Sequence, residues 1–292
     1  MSLPFFRGQL VQTACIWEAT ARKVGNVHRN ADFAATGLTD FLISAAAIAP
    51  YFDGRPINSI GDTIHLGVKA TRDAVGQNTN LGILLLLTPL ASISRAFPLR
   101  ERVSLALADL SQLDAKAVFA AIRLANPGGL GDAPEQDVCS EPTVTLLEAM
   151  KLAADRDMVA RQYANGFADV FDFGVPTFAT ALAQFGCVEA AIIDSQLRWL
   201  ARYPDSLIAR TKGLAVAEDV RKRAAAVLEL GSIATPEGRA AGVALDHHLR
   251  SDGNKLNPGT TADLITACLF VALRENMVIP SAPFRWLVSD WL

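Results

Sequence analysis

The stretch Asn78-Thr79-Asn80-Leu81-Gly82-Ile83-Leu84-Leu85-Leu86-Leu87-Thr88-Pro89-Leu90-Ala91-Ser92-Ile93 decides the fold class, because a compact polar turn runs directly into the most apolar segment of the chain. From Leu81 to Ile93 the run is shorter than the roughly 18–20 residues needed to cross a bilayer, and Pro89 interrupts it, so it reads as a central buried helix. A second turn of the same kind, Asn257-Pro258-Gly259-Thr260-Thr261-Ala262-Asp263, opens another apolar run. Helix N-termini leave backbone N–H groups unpaired and carry partial positive charge, so small polar residues and glycine there can present donors to phosphate. A third element, Glu18 through Arg29, ends an amphipathic helix in charged, Gly and Asn residues that no core requires.

The rest of the chain agrees with a helical reading. Of 292 residues, 51% are hydrophobic and only 7% aromatic, with Ala and Leu dominant, a balance that favours close-packed helices over sheets. Periodicity predicts helices over Pro4–Arg22, Leu38–Phe52, Gly61–Val75, Leu81–Ala96, Leu99–Leu110, Asp114–Ala125, Thr143–Ala164, Val175–Tyr203, Ser206–Leu230, Thr235–Arg250 and Thr261–Glu275. The expectation is an all-α protein: a single compact domain over 1–292, of about ten or more helices around a buried central one. A loop or lid is expected at about 126–142, where Pro and Gly cluster. Gly128-Gly129-Leu130-Gly131 is not a Walker loop, since no Gly-Lys-Ser/Thr follows.

Composition also limits partners and location. A net charge of −3 argues against nucleic acid or an anionic membrane surface as a partner. Cys15, Cys139, Cys187 and Cys268 lack CxxC or Cys/His metal spacing and read as reduced core residues of a cytoplasmic protein. The first 22 residues carry Arg7, Glu18 and Arg22 and no continuous apolar core, so a signal peptide is not expected. Trp286 and Trp291 near the C-terminus must pack somewhere; docking on the chain's own helices is the simple expectation, and a homodimer contact is the alternative.

Five ordered blocks carry a family resemblance. They are Glu18…Lys23-x-Gly25-Asn26, Asp40-Phe41…Ser44-Ala45, Asn78-Thr79-x-x-Gly82, Asp205-Ser206-x-Ile208-x-Arg210 and Asn257-Pro258-Gly259-x-x-Ala262-Asp263-Leu264. Together they resemble the triphosphoribosyl-dephospho-coenzyme A synthase family over most of the chain. The resemblance implies an all-helical enzyme that moves the triphosphoribosyl group of ATP to the ribose 2′-hydroxyl of 3′-dephospho-coenzyme A and releases adenine, making a prosthetic-group precursor. Three positions depart from the family pattern: Val24 where proline is usual, Leu81 where lysine is usual, and Thr260 where a second glycine is usual. Such variants, as the resemblance suggests, serve bacteria and archaea that use pterin- or furan-linked one-carbon carriers, so a related biosynthetic transferase is the alternative. A catalytically inactive nucleotide-binding or scaffold protein is the third reading, and Leu81 favours it.

The chemistry assigns roles to these residues. Displacing adenine from C1′ needs a hydroxyl nucleophile, neutralised phosphates and stabilisation of an oxocarbenium-like centre. Asp205 and Asp263 are the expected ligands of a Mg²⁺ that accompanies ATP, since Mg²⁺ takes oxygen ligands from one or two carboxylates plus phosphates. Lys23 and Arg210 are expected on phosphate oxygens, with Gly25, Asn26, His28, Asn78, Thr79, Asn80, Gly82, Asn257, Gly259, Thr260 and Thr261 lining the nucleotide site. Glu18 or Asp40 is expected to accept the hydroxyl proton, and Asp205 completes the catalytic set. Each has a plain alternative. Asp205, Asp40, Asn78 and Thr261 stand where helix caps stand, and Glu18 with Arg22 has the spacing of a surface ion pair.

Overall fold

A computed structural model describes residues 6–53, 59–129 and 135–292. Among them the regular elements are helical, and pairing of the β type is limited to one isolated bridge between His28 and Ala31. In chain order the helices are α1 (Arg7–Thr20), α2 (Leu38–Ile48), α3 (Pro50–Asp53), α4 (Ile60–Val75), α5 (Leu81–Ser92), α6 (Leu99–Ala108), α7 (Gln112–Ala125) and α8 (Leu146–Ala153). They continue with α9 (Met158–Ala164), α10 (Val175–Phe185), α11 (Val188–Arg202), α12 (Ser206–Lys212), α13 (Leu214–Glu229), α14 (Pro236–Arg250) and α15 (Gly259–Arg274).

Four of the expected helices are divided, each for a local reason. Pro50, which cannot donate a helical N–H, separates α2 from α3. Asp157 accepts from the N–H groups of Val159 and Ala160 and restarts the chain as α9. Gly186, at φ 67°, closes α10, and Gly213, at φ 95°, separates α12 from α13. The expected loop at 126–142 includes residues 130–134, which lie outside the described residues.

The helix α5 is buried along nearly its whole length and packs between α4 and α15, in the larger of two apolar clusters. A smaller cluster lies where α13 packs between α11 and α14. The two meet at α11, which gives Val188, Ala191, Ile192 and Trp199 to the larger core and Ala190, Ile193, Leu197 and Leu200 to the smaller. One compact all-helical domain results. Cys15, Cys187 and Cys268 are buried free thiols, whereas Cys139 is exposed and so departs from the expected core placement.

The C-terminal tail docks on the chain's own helices through an ionic clamp. Glu189, at the start of α11, accepts from Arg22 Nε (2.9 Å), Arg29 Nη2 (2.9 Å) and the Trp286 N–H (2.8 Å). Arg22 in turn donates to the carbonyls of Trp286 (2.7 Å) and Trp291 (3.0 Å), while Trp291 Nε1 donates to the Arg22 carbonyl (2.8 Å). Burial works against the Glu189 carboxylate, but the hydrogen bonds from Arg29 and Arg22 prevail and hold its pKa below the ordinary value.

Glu189→Gln leaves two guanidinium groups without their carboxylate and is expected to cost about 3–5 kcal/mol in urea unfolding. Because the folded pKa lies below the unfolded one, the clamp's contribution is complete above the unfolded pKa and drains as pH falls toward the folded value. The difference in urea midpoint between the two proteins should therefore shrink on acidification through the carboxylate range.

Candidate active site

Three polar turns, distant in sequence, meet at one place because buried hydrogen bonds tie them together. Asp205 heads α12 and accepts from the N–H groups of Leu207 (2.9 Å) and Ile208 (3.1 Å) through Oδ1. Its Oδ2 accepts from both the N–H and the Oγ1 of Thr261 (2.8 Å each), so one carboxylate joins the N-termini of α12 and α15. Beside it Ser206 Oγ donates to Thr260 Oγ1 (3.0 Å). The turn after α1 is held by Asn26, whose Nδ2 donates to Asn257 Oδ1 (2.7 Å) while its Oδ1 accepts from Gln196 Nε2 (2.7 Å). Gly25, at φ 71°, is required for this approach: a Cβ there would lie 2.7 Å from Leu249 Cδ1.

The result is a polar compartment of about 180 Å³. From the expected set it brings together Glu18, Asn26, Asn78, Thr79, Asn80 and Gly82 with Arg210, Asn257, Gly259, Thr260 and Asp263. Phe33 and Phe41 add aromatic faces. Asp263 stands close to Gly82 at the start of α5, where a Cβ on that glycine would fall 2.0 Å from Asp263 Oδ2. Among the described residues no hydrogen bond or ion pair closes on Asp263. Burial, then the charges of Glu18, Asp205 and Asp157, push its pKa well above the ordinary value, with Arg210 opposing. Glu18 is also raised by burial, with Lys23 opposing. Asn80 is buried; its Oδ1 accepts from Thr71 Oγ1 (3.0 Å), which fixes the amide, and its Nδ2 has no partner. A buried donor left open at the start of an apolar helix suits an anionic oxygen.

Other expected residues lie outside the compartment. Lys23 is fully buried with Nζ 2.9 Å from Glu18 Oε1, and it also donates to the Glu18 carbonyl, so its ammonium faces Glu18. Asp40 caps α2, accepting from the Gly37 N–H (2.9 Å) and Gln77 Nε2 (3.3 Å), and it lies off the compartment that Glu18 lines. Asp205 and Thr261 lie outside the compartment lining and bond to each other, and both Asp205 oxygens accept hydrogen bonds from the N-termini of α12 and α15. Gly25 shapes the turn from outside the compartment. His28 is buried near Arg250, Lys23, Arg22 and Arg29; burial and these cations lower its pKa to about 3, and it stands off the compartment as a neutral imidazole.

A second chamber of about 660 Å³ adjoins the first and shares Leu81, Gly82, Arg210, Thr260 and Asp263 with it. Its far side is formed by α7, α8 and α9, whose placement here carries no sequence signal. Asp157 was also missed: besides capping α9 it accepts from Arg210 Nη1 (3.0 Å) and so aims that guanidinium, which also donates from Nε to the Gly128 carbonyl (3.2 Å). The break at Asp155-Arg156-Asp157 within the expected helix was the available signal.

The fold and site define an all-helical protein whose helix N-termini and buried carboxylates line a two-part cleft. A family model described as ATP:dephospho-CoA triphosphoribosyl transferase matches residues 5–279, and the chain belongs to that family. It is 31% identical over 115 residues to a protein of Pseudomonas savastanoi pv. phaseolicola provisionally named 2-(5''-triphosphoribosyl)-3'-dephosphocoenzyme-A synthase, a match covering 39% of each chain. A Pseudomonas putida protein provisionally given the same name is 34% identical over 113 residues, 38% of this chain and 40% of that one. The matches thus span about two fifths of these relatives. The fold resembles a crystal structure from Archaeoglobus fulgidus, provisionally described as a triphosphoribosyl-dephospho-coA synthase, with a TM-score of 0.65 and 29% identity, covering 81% of this chain and 98% of that one.

Asn80→Asp keeps the acceptor for Thr71 but replaces the open donor with negative charge. Inorganic tripolyphosphate, titrated calorimetrically against the folded protein, is expected to bind at least about tenfold more weakly to the variant.

Proposed function

We propose that this protein transfers the triphosphoribosyl group of ATP to a hydroxyl of 3′-dephospho-coenzyme A or a closely related cofactor precursor, releasing adenine. The observation that carries the reading is Asp263: an unbonded carboxylate with a raised pKa, on the wall shared by the two chambers, beside Gly82 in the first turn of α5. In the transfer the bond from C1′ to the adenine nitrogen breaks and a bond from C1′ to the acceptor oxygen forms. The hydroxyl proton passes to Asp263, whose ionised form is a stronger base than an ordinary carboxylate because burial raises its pKa. The departing adenine takes up a proton from solvent.

Asn80 Nδ2 and the N–H groups of Gly82 and Ile83, which follow the Leu81 N–H capped by Asn78 Oδ1, hold phosphate oxygens. Glu18, with its charge balanced by Lys23, faces the cationic character that develops at C1′. Phe33 and Phe41 offer the adenine a stacking surface. A Mg²⁺ arriving with the triphosphate would meet Glu18 and Asp263, the carboxylates on the compartment wall, and would supply further neutralisation of phosphate charge. Among the described residues no cluster of three or more His, Cys, Asp or Glu side chains is arranged to hold a metal by itself. Leu81, where the family usually has a lysine, supports a second reading in which the acceptor is a precursor of a pterin- or furan-linked one-carbon carrier.

Incubation with Mg-ATP, with and without dephospho-coenzyme A, tests the function. Acceptor-dependent adenine, with a triphosphoribosyl gain in acceptor mass, is the expected outcome; neither signal from folded, ATP-binding protein would remove this acceptor. Asp263→Asn is expected to slow adenine release by roughly 10²–10⁴-fold. The same variant should raise the melting temperature at neutral pH. A folded pKa above the unfolded one means that ionisation at high pH costs stability, and the amide does not ionise. An unchanged rate in Asp263→Asn would assign the proton to Glu18 instead.

A further inference from the structure

The larger chamber has a chemistry of its own. Its walls carry Leu85, Val118, Phe119, Ile122, Met150 and Met158. The arginines at its edge are engaged: Arg161 Nε donates to Asp169 (2.8 Å), Arg210 Nη1 to Asp157 (3.0 Å) and Arg156 Nη1 to the Leu152 carbonyl (3.0 Å). Glu135 and Asp155 add negative charge to the same lining. A polyphosphate entering here would meet apolar walls and carboxylates, whereas an uncharged body would gain from burial of its apolar surface. The smaller compartment presents Phe33, Phe41 and the unpartnered Asn80 Nδ2, a chemistry unlike that of the chamber.

The geometry points to the 660 Å³ chamber as the acceptor subsite, selective for an uncharged apolar or aromatic body carried by the acceptor, with the reacting hydroxyl delivered to the shared wall at Leu81, Gly82 and Asp263. This assignment rests on the transfer proposed above. Its volume lies in the range of pockets that enclose most of a ligand of several tens of atoms. Leu81 then has a purpose at the junction: a leucine extends the apolar wall up to the point where the two substrates meet.

Ala153, half-buried on α8, lines the chamber and not the polar compartment, so Ala153→Trp should fill it. The probe is N-phenyl-1-naphthylamine, an uncharged dye that fluoresces in apolar sites. The full chain is expected to bind it with saturable stoichiometry, to keep it in the presence of saturating Mg-ATP, and to bind it at least about tenfold more weakly in Ala153→Trp. Ala153→Ser, which leaves the space open, should bind it nearly as the parent does. For a turning-over enzyme, Ala153→Trp should raise the KM for dephospho-coenzyme A at least about tenfold, with the KM for ATP changed much less.

Absence of saturable dye binding, displacement of the dye by Mg-ATP, or equal binding by Ala153→Trp would each overturn the assignment. These outcomes are independent of the adenine-release assay. Dye binding lost while acceptor-dependent adenine release persists overturns the chamber alone. Dye binding as expected, with no adenine released and no displacement by dephospho-coenzyme A, overturns that acceptor and supports an uncharged body of another kind in the chamber.

Discussion

The buried carboxylate of Asp205 is the constraint on which the site depends. Helices α12 and α15 begin within the protein interior, where unpaired N–H groups would be costly and no water is at hand to satisfy them. One side chain answers for both helices by accepting from Leu207, Ile208 and Thr261. Burial raises its pKa, and the four donors work in the opposite direction by favouring the ionised form. With the two N-termini fixed in this way, Arg210 on α12 and Asp263 on α15 are brought to the same wall, opposite the start of α5.

Around that joint the protein keeps several carboxylates close together. Glu18, Asp205 and Asp157 all raise the pKa of Asp263, an arrangement that costs stability and that a structural core would avoid. All three are compensated: Glu18 by the buried ammonium of Lys23, Asp157 by Arg210 and the N-terminus of α9, and Asp205 by its four hydrogen-bond donors. Asp263 is left without such a partner, and Gly82 leaves the room that its carboxylate occupies. An uncompensated carboxylate among compensated ones is a local conflict that packing alone does not account for.

The helical class and the meeting of the polar turns could be read from the sequence because both rest on local signals. Apolar runs following Asn, Gly and Thr turns mark helix starts, and α5 and α15 begin where those turns end. Roles were harder to read, since a cap and a ligand use the same residue types. Asp205 and Asp40 carry caps, whereas Asp263, three residues past the same kind of turn, carries none. Only the fold shows which carboxylates have their lone pairs filled. Lys23 is similar: its sequence neighbourhood suggested a phosphate contact, but the turn at Gly25 buries the ammonium against Glu18. The larger chamber left no trace, because its walls are ordinary apolar helix faces whose meeting depends on packing between α7, α8 and α9.

That division between local and non-local information explains why the departure at Leu81 changes meaning once the fold is known. In sequence it is the loss of a cation from a phosphate-binding turn. In three dimensions Leu81 belongs to the larger apolar core and to both chambers at once, at the head of the most buried helix. A lysine in that place would put an ammonium against the apolar chamber, where desolvation opposes it. The open Asn80 amide and the helix N-terminus supply donors for an anion without that cost. With those dipoles on one side, the shared wall stays apolar on its other side, so its two faces present unlike chemistries at the point where the chambers meet.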